Sequence, residues 1–132
     1  MNVTTSYAFG KKLDAPFSEI EQKVRAELTK EGFGILTEIN VQSTFKKKLD
    51  RDFRDYVILG ACNPALAWEA FAKEINIGTL LPCNVVIYRD DDGKTIVMAM
   101  DPVATLGVIG NAELSEIADQ VRTRMERVLA AL

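Results

Sequence analysis

The chain has 132 residues, of which 48% are hydrophobic and 27% charged, with a net charge of -3 and no histidine. That length suits one α+β domain over residues 1–132 with a sizeable core. The acidic balance opposes nucleic-acid binding through phosphates, no window is apolar for the length of a membrane span, and the absence of histidine removes imidazole catalysis, Ser-His and Cys-His pairs and histidine metal ligation.

The opening Met1-Asn2-Val3-Thr4-Thr5 has neither the basic region nor the apolar run of a signal peptide, so the cytoplasm is the expected location. Asn2 to Phe9, rich in threonine and aromatics, reads as a first strand, and Gly10 to Asp14 as a connection. Pro16 opens a helix whose buried stripe is Phe17, Ile20, Val24 and Leu28, and Gly32 stops it. Phe33 to Val41 is a second strand, with Phe33, Ile35, Thr37, Ile39 and Val41 on one face by two-residue alternation. Thr44 to Leu49 makes a short helix that docks Phe45 and Leu49. Its run Lys46-Lys47-Lys48 is a solvated face rather than an anion site.

Tyr56 to Cys62 is a third strand, and Gly60 inside it signals a bulge or a close backbone approach. Asn63 then caps a helix with Pro64 at its first position, running to about Glu74. Leu81 to Arg89 is the fourth strand. Asp90-Asp91-Asp92-Gly93 is a hairpin turn without the spacing or distal glutamate of a calcium loop. Lys94 to Met100 returns, and Asp101-Pro102 ends it. Asn111 caps a last helix striped by Leu114, Ile117, Ala118, Val121, Met125, Val128 and Leu132. This order predicts a mostly antiparallel sheet of four to five strands with helices on one face. The other sheet face would expose apolar residues, which motivates a homodimer.

The candidate chemistry lies in two Cys-Asn dipeptides, Cys62-Asn63-Pro64 and Pro82-Cys83-Asn84. Cys62 falls where a strand meets a helix N-terminus, a place that favours a thiolate. If the third and fourth strands are close, both sulfurs reach one end of the sheet, suiting a dithiol couple or a persulfide carrier. The plainer alternative is that both are small buried core residues. Asn63 and Pro64 are explained by the helix start alone, and Asn84 by a strand position. Tyr7, Tyr56, Tyr88 and Trp68 are candidates to line a pocket, Trp68 more as an edge or dimer contact. The cysteines lie twenty residues apart with no Cys-x-x-Cys, so no metal and no cofactor is expected.

Glu31-Gly32-Phe33-Gly34-Ile35-Leu36-Thr37-Glu38-Ile39, Leu59-Gly60-Ala61-Cys62-Asn63-Pro64 and Leu80-Leu81-Pro82-Cys83-Asn84-Val85-Val86 together resemble segments of the domain of unknown function 302 family. The likeness runs from about Tyr7 to the final helix. It implies a two-layer α+β sandwich, a topology similar to the TATA-binding-protein-like fold and homodimers, and no established activity. Two functions are carried forward. One is a small dimeric binding module that holds a ligand or protein partner near Cys62 and Cys83, with Asn63, Pro64 and Asn84 as candidate contacts. The other is a thiol-based redox or sulfur-handling protein that uses those sulfurs covalently. An assembly partner with no small ligand is a third possibility, one that a surface without a pocket would favour. Neither nucleic acid nor membrane is an expected partner.

Overall fold

A computed structural model describes all residues from Met1 to Leu132. Six strands form one sheet: β1 (Asn2–Thr4), β2 (Ala8–Leu13), β3 (Gly34–Asn40), β4 (Tyr56–Cys62), β5 (Cys83–Arg89) and β6 (Thr95–Met100). Their order is β1-β2-β6-β5-β4-β3, and every neighbouring pair is antiparallel. Five helices accompany them: α1 (Phe17–Lys30), α2 (Val41–Leu49), α3 (Pro64–Lys73), α4 (Pro102–Gly107) and α5 (Ser115–Ala130). A 3-10 stretch, Ile75–Leu80, joins α3 to β5.

Six strands replace the four to five expected, and the reason lies at the N-terminus. Thr5 Oγ1 accepts from the backbone N–H groups of Tyr7 at 3.2 Å and Ala8 at 2.9 Å. This side-chain turn folds the first segment back on itself, so Asn2 to Phe9 is not one strand. Gly10 to Leu13, expected as a connection, is ladder paired to β6, with Gly10 opposite Met98 and Leu13 opposite Thr95. Gly10 is there for lack of a side chain: a β-carbon would collide with the Val97 carbonyl and lie 2.6 Å from the Met98 sulfur. Lys11 and Lys12 point to opposite sides of this strand. Lys11 donates to the carbonyls of Leu129 and Leu132 at the end of α5, at 3.3 and 3.1 Å, where a cation suits the helix dipole. Lys12 meets Asp90 at 2.8 Å.

The strand face expected for β3 is broken. Ile35 sits opposite Ala61 and Thr37 opposite Gly60, so Leu36 is an extra residue in a bulge. Ile35 therefore faces the helices, while Thr37 and Ile39 face the other side. Val41 belongs to α2 and not to the strand, because Asn40 ends the strand by capping the helix through Ser43 N at 3.0 Å. Asp101-Pro102 does more than end β6. It starts α4, with Asp101 Oδ1 accepting from Val103 N at 3.0 Å and proline at the first helical position. Asn111 caps a 3-10 turn, Ala112–Leu114, that leads into α5, and does not cap α5 itself.

One hydrophobic core fills the space between sheet and helices. Val57, Leu59 and Ala61 of β4, Val85 and Ile87 of β5, and Val97 and Ala99 of β6 meet Ile20, Val24 and Leu28 of α1 and Ile117, Val121, Met125 and Val128 of α5. Alternate residues of the same strands point the other way, as a pleated sheet requires. There Ala8, Ile96 and Met98 cluster with Val3, Val86 and Tyr88. The Tyr56 and Tyr88 rings stack with centroids 5.2 Å apart. α2 lies outside the helix layer. It buries no residue, and its Phe45 packs edge-on against Phe53, which leans toward Tyr56.

Candidate functional site

The site begins where β4 stops. Asn63 leaves the strand in an extended conformation, and its Oδ1 accepts from Leu66 N at 3.2 Å, which closes the first turn of α3. Pro64 occupies the first helical position and offers no N–H. α3 then leads through the 3-10 stretch Ile75–Leu80 to a cis Leu81–Pro82 bond and to Cys83, the first residue of β5. Cys83 is opposite Ala61, so the two sulfur-bearing residues are one position out of step across the β4–β5 ladder. The pleat aims Cys83 into the helix-side core with Ala61, and Cys62, the next residue of β4, closes the strand beside it. Both are free thiols, Cys83 buried and Cys62 half-buried.

A cavity of about 260 Å³ opens at this end of the sheet. Fourteen of its seventeen lining residues are hydrophobic, drawn from β4, α3, the 3-10 stretch, α4 and α5. Cys62, Cys83 and Asn63 all border it. Pro64 is not on its wall, and its role is the helix start. Asn84 is exposed on the opposite sheet face, where it edges a second hollow together with Tyr7, Tyr56 and Tyr88. Trp68 projects from α3 with 80% of its surface exposed and borders neither. The structure thus gathers three of the five candidate residues at one cavity and separates Pro64 and Asn84 from it.

Electrostatics at the two thiols run against the sequence expectation. Burial pushes the Cys83 thiol up to about 11, with the neighbouring Cys62 adding to the rise. Burial raises the Cys62 thiol as well. Two first-turn positions of α3 offer Cys62 no donor, since Asn63 takes the Leu66 N–H and Pro64 has none to give. Both sulfurs therefore stay protonated at neutral pH, in a form that is a poor nucleophile and a poor metal ligand. No cluster of three or more Cys, Asp or Glu side chains is placed to hold a metal ion.

Several wall residues carried no mark as site residues in the sequence. Phe33, Ile77, Leu106 and Ile117 look like any core residue there, because only the packing of α3 and α4 over the strand ends leaves a gap between them. Arg124 stands outside this wall. It has no acid three or four positions away on α5, its neighbours at those distances being Gln120, Val121, Arg127 and Val128, whereas Arg122 has Glu126. Arg124 reaches across to the end of α1, where Nη1 donates to the Glu31 carbonyl at 3.1 Å.

An antiparallel sheet with helices over one face and an apolar cavity at the strand ends defines a small α+β domain. The sequence pattern of the family described as "Domain of unknown function DUF302" matches residues 9–132, and the chain belongs to that family. A solved structure described as an uncharacterized conserved protein DUF302 from Bacillus stearothermophilus is similar throughout. It shares 26% identity, with a TM-score of 0.89 over 96% of this chain and 98% of that one. No curated protein matches. No helix is long and apolar enough to cross a membrane.

Proposed function

We propose that this protein is a small binding module whose ligand enters the cavity bordered by Cys62, Cys83 and Asn63. The observation that carries this reading is the wall itself: fourteen hydrophobic residues of seventeen, around about 260 Å³, with both thiols held in the neutral form. Concave, largely preformed apolar pockets with few polar groups are the usual form of small-molecule sites. The thiol-based alternative draws on the same two sulfurs. Their raised titration and their one-residue offset across the ladder speak against it, since a nucleophilic cysteine needs a depressed pKa and a disulfide needs facing β-carbons.

The test is a titration with naphthalene, followed by NMR shifts of Leu66 and Ile77. An engineered cavity of about 150 Å³ takes benzene, so about 260 Å³ takes roughly ten carbons. Ala67→Phe, which fills the cavity from α3, should abolish saturable shifts. Shifts that fail to saturate, or that persist in the filled variant, would refute the binding reading. Rapid formation of a stable mixed disulfide or persulfide at pH 7, lost in Cys62→Ser, would favour the thiol reading instead.

The same proposal includes a homodimer, a cytoplasmic setting and a TATA-binding-protein-like topology. Exposed Tyr7 and Ile39 on the open sheet face support a second copy there. Two unpaired cysteines suit a reducing compartment. The strand order, with long helices following β2 and β6, supports the topology. Light scattering on the wild type and Tyr7→Lys decides the dimer: a monomeric wild type refutes it.

A further inference from the structure

We infer that the cavity's ligand is a monocarboxylic acid with an apolar body of roughly ten carbons, its carboxylate received at the rim by Arg124 and Asn63. The inference rests on the cavity being a binding site, and it adds the chemistry of the ligand's head. Two donors lie close together, and one of them, Asn63, belongs to the cavity wall. Where a β-carbon on Gly32 would stand, Asn63 Nδ2 lies 3.1 Å away and Arg124 Nη1 lies 3.5 Å away. Gly32 has φ +83 at the end of α1, a conformation that suits glycine, and a β-carbon there would crowd the Asn63 amide.

The orientation of Asn63 is set by its cap. Oδ1 accepts from Leu66 N at 3.2 Å, and the amide nitrogen lies against Gly32 with no partner within the chain. Asn63 is also part of the cavity wall, next to Phe33 and Cys62. Arg124 is half-buried and makes one hydrogen bond, to the Glu31 carbonyl. Arg124 has no carboxylate partner, and the carboxylate of Glu31, whose carbonyl it touches, pairs with Arg127 at 2.8 Å. The other arginines that are half-buried, Arg25 and Arg122, each have two carboxylate partners. A guanidinium with spare N–H groups and a free amide N–H beside an apolar chamber match a carboxylate above an alkyl or aryl body. A neutral oxygen also accepts from both donors, but without the charge that strengthens a guanidinium–carboxylate bond.

Matched ten-carbon ligands test this. Decanoate and 1-decanol are titrated at pH 7.5 by calorimetry into the wild type, Arg124→Gln, Arg124→Lys and Ala67→Phe. Decanoate should bind the wild type at least about tenfold more tightly than decanol, the worth of a charge-assisted hydrogen bond. Arg124→Gln should abolish that preference and Arg124→Lys should keep part of it, while Ala67→Phe should lose both ligands. Equal wild-type affinities for acid and alcohol, or a preference that survives in Arg124→Gln, overturns the carboxylate inference and leaves the cavity reading standing. No binding of either ligand to the wild type overturns both.

Discussion

Raising the pH from 7.5 to 11 should destabilise this protein through Cys83 and leave a Cys83→Ala variant less affected. The free thiol titrates near 9.0, and in the folded chain burial moves Cys83 up to about 11. Its side chain faces the core with Ala61, so the folded state rejects the charge. Below pH 9 both states carry the proton and the group adds no slope. Above 9 the unfolded chain gives up its proton first, so stability falls until the folded thiol also ionises near 11. Each pKa unit is about 1.4 kcal/mol, so the full loss is about 2–3 kcal/mol. Urea denaturation in pH steps measures it, with the difference between wild type and Cys83→Ala removing the contribution of lysines and tyrosines that titrate in the same range. Reactivity gives a second readout. At pH 8 a thiol at about 11 has roughly a hundredth of the thiolate of one at 9, so Cys83 should react with an aromatic disulfide reagent about a hundredfold more slowly than free cysteine. A Cys83 that reacts within a few-fold of free cysteine, or stability curves that run parallel for the two proteins from pH 9 to 11, would refute the reasoning.

Gly60→Ala should cost about 1–3 kcal/mol, because its β-carbon would meet Thr37 Oγ1 and lie 2.7 Å from Pro82 Cγ; thermal melts check it, and an unchanged melting temperature would show that the β3 bulge yields freely. Asp101 both caps α4 and pairs with Arg122, whose guanidinium also stands 5.0 Å over the Phe9 ring. Asp101→Asn keeps the capping oxygen and Asp101→Ala removes it, so the alanine variant should be less stable than the asparagine one by about 0.5–2 kcal/mol in urea titrations. Equal losses in the two would place the whole effect in the Arg122 pair.

Local signals carried most of the helices and strands. Asn63-Pro64 announces α3 because a capping side chain and a pre-set φ act within one turn. The Leu114 to Leu132 stripe announces α5 because burial repeats with the helical period. Asp90 to Gly93 announces the hairpin. Local signals mislead where a pattern is ambiguous and a distant partner decides. Gly10-Lys11-Lys12 has the composition of a connection, yet β6 lies alongside and draws it into the sheet. Asp101-Pro102 has the same start chemistry as Asn63-Pro64, but with only six helical residues after it, α4 has too little periodicity to stand out. The bulge at Leu36 reverses the face of Thr37 and Ile39, and nothing within β3 signals it; Gly60 on the neighbouring strand, having no side chain, leaves room for Thr37 there.

The candidate site divides in the same way. Sequence alone determined that the chemistry has no histidine, that two thiols flank a capped helix, and that Asn63 and Pro64 begin it. These follow from composition and from interactions within a few residues. Tertiary structure decided the rest: that Cys83 faces Ala61 and not Cys62, that burial keeps both thiols protonated, that Asn84 faces the opposite side, and that an apolar chamber opens between α3, α4, α5 and the strand ends. It also brought Arg124, Gly32 and Asn63 together from three separate elements. Register, solvent exclusion and empty volume arise only when distant segments pack, so no stretch of the chain states them by itself.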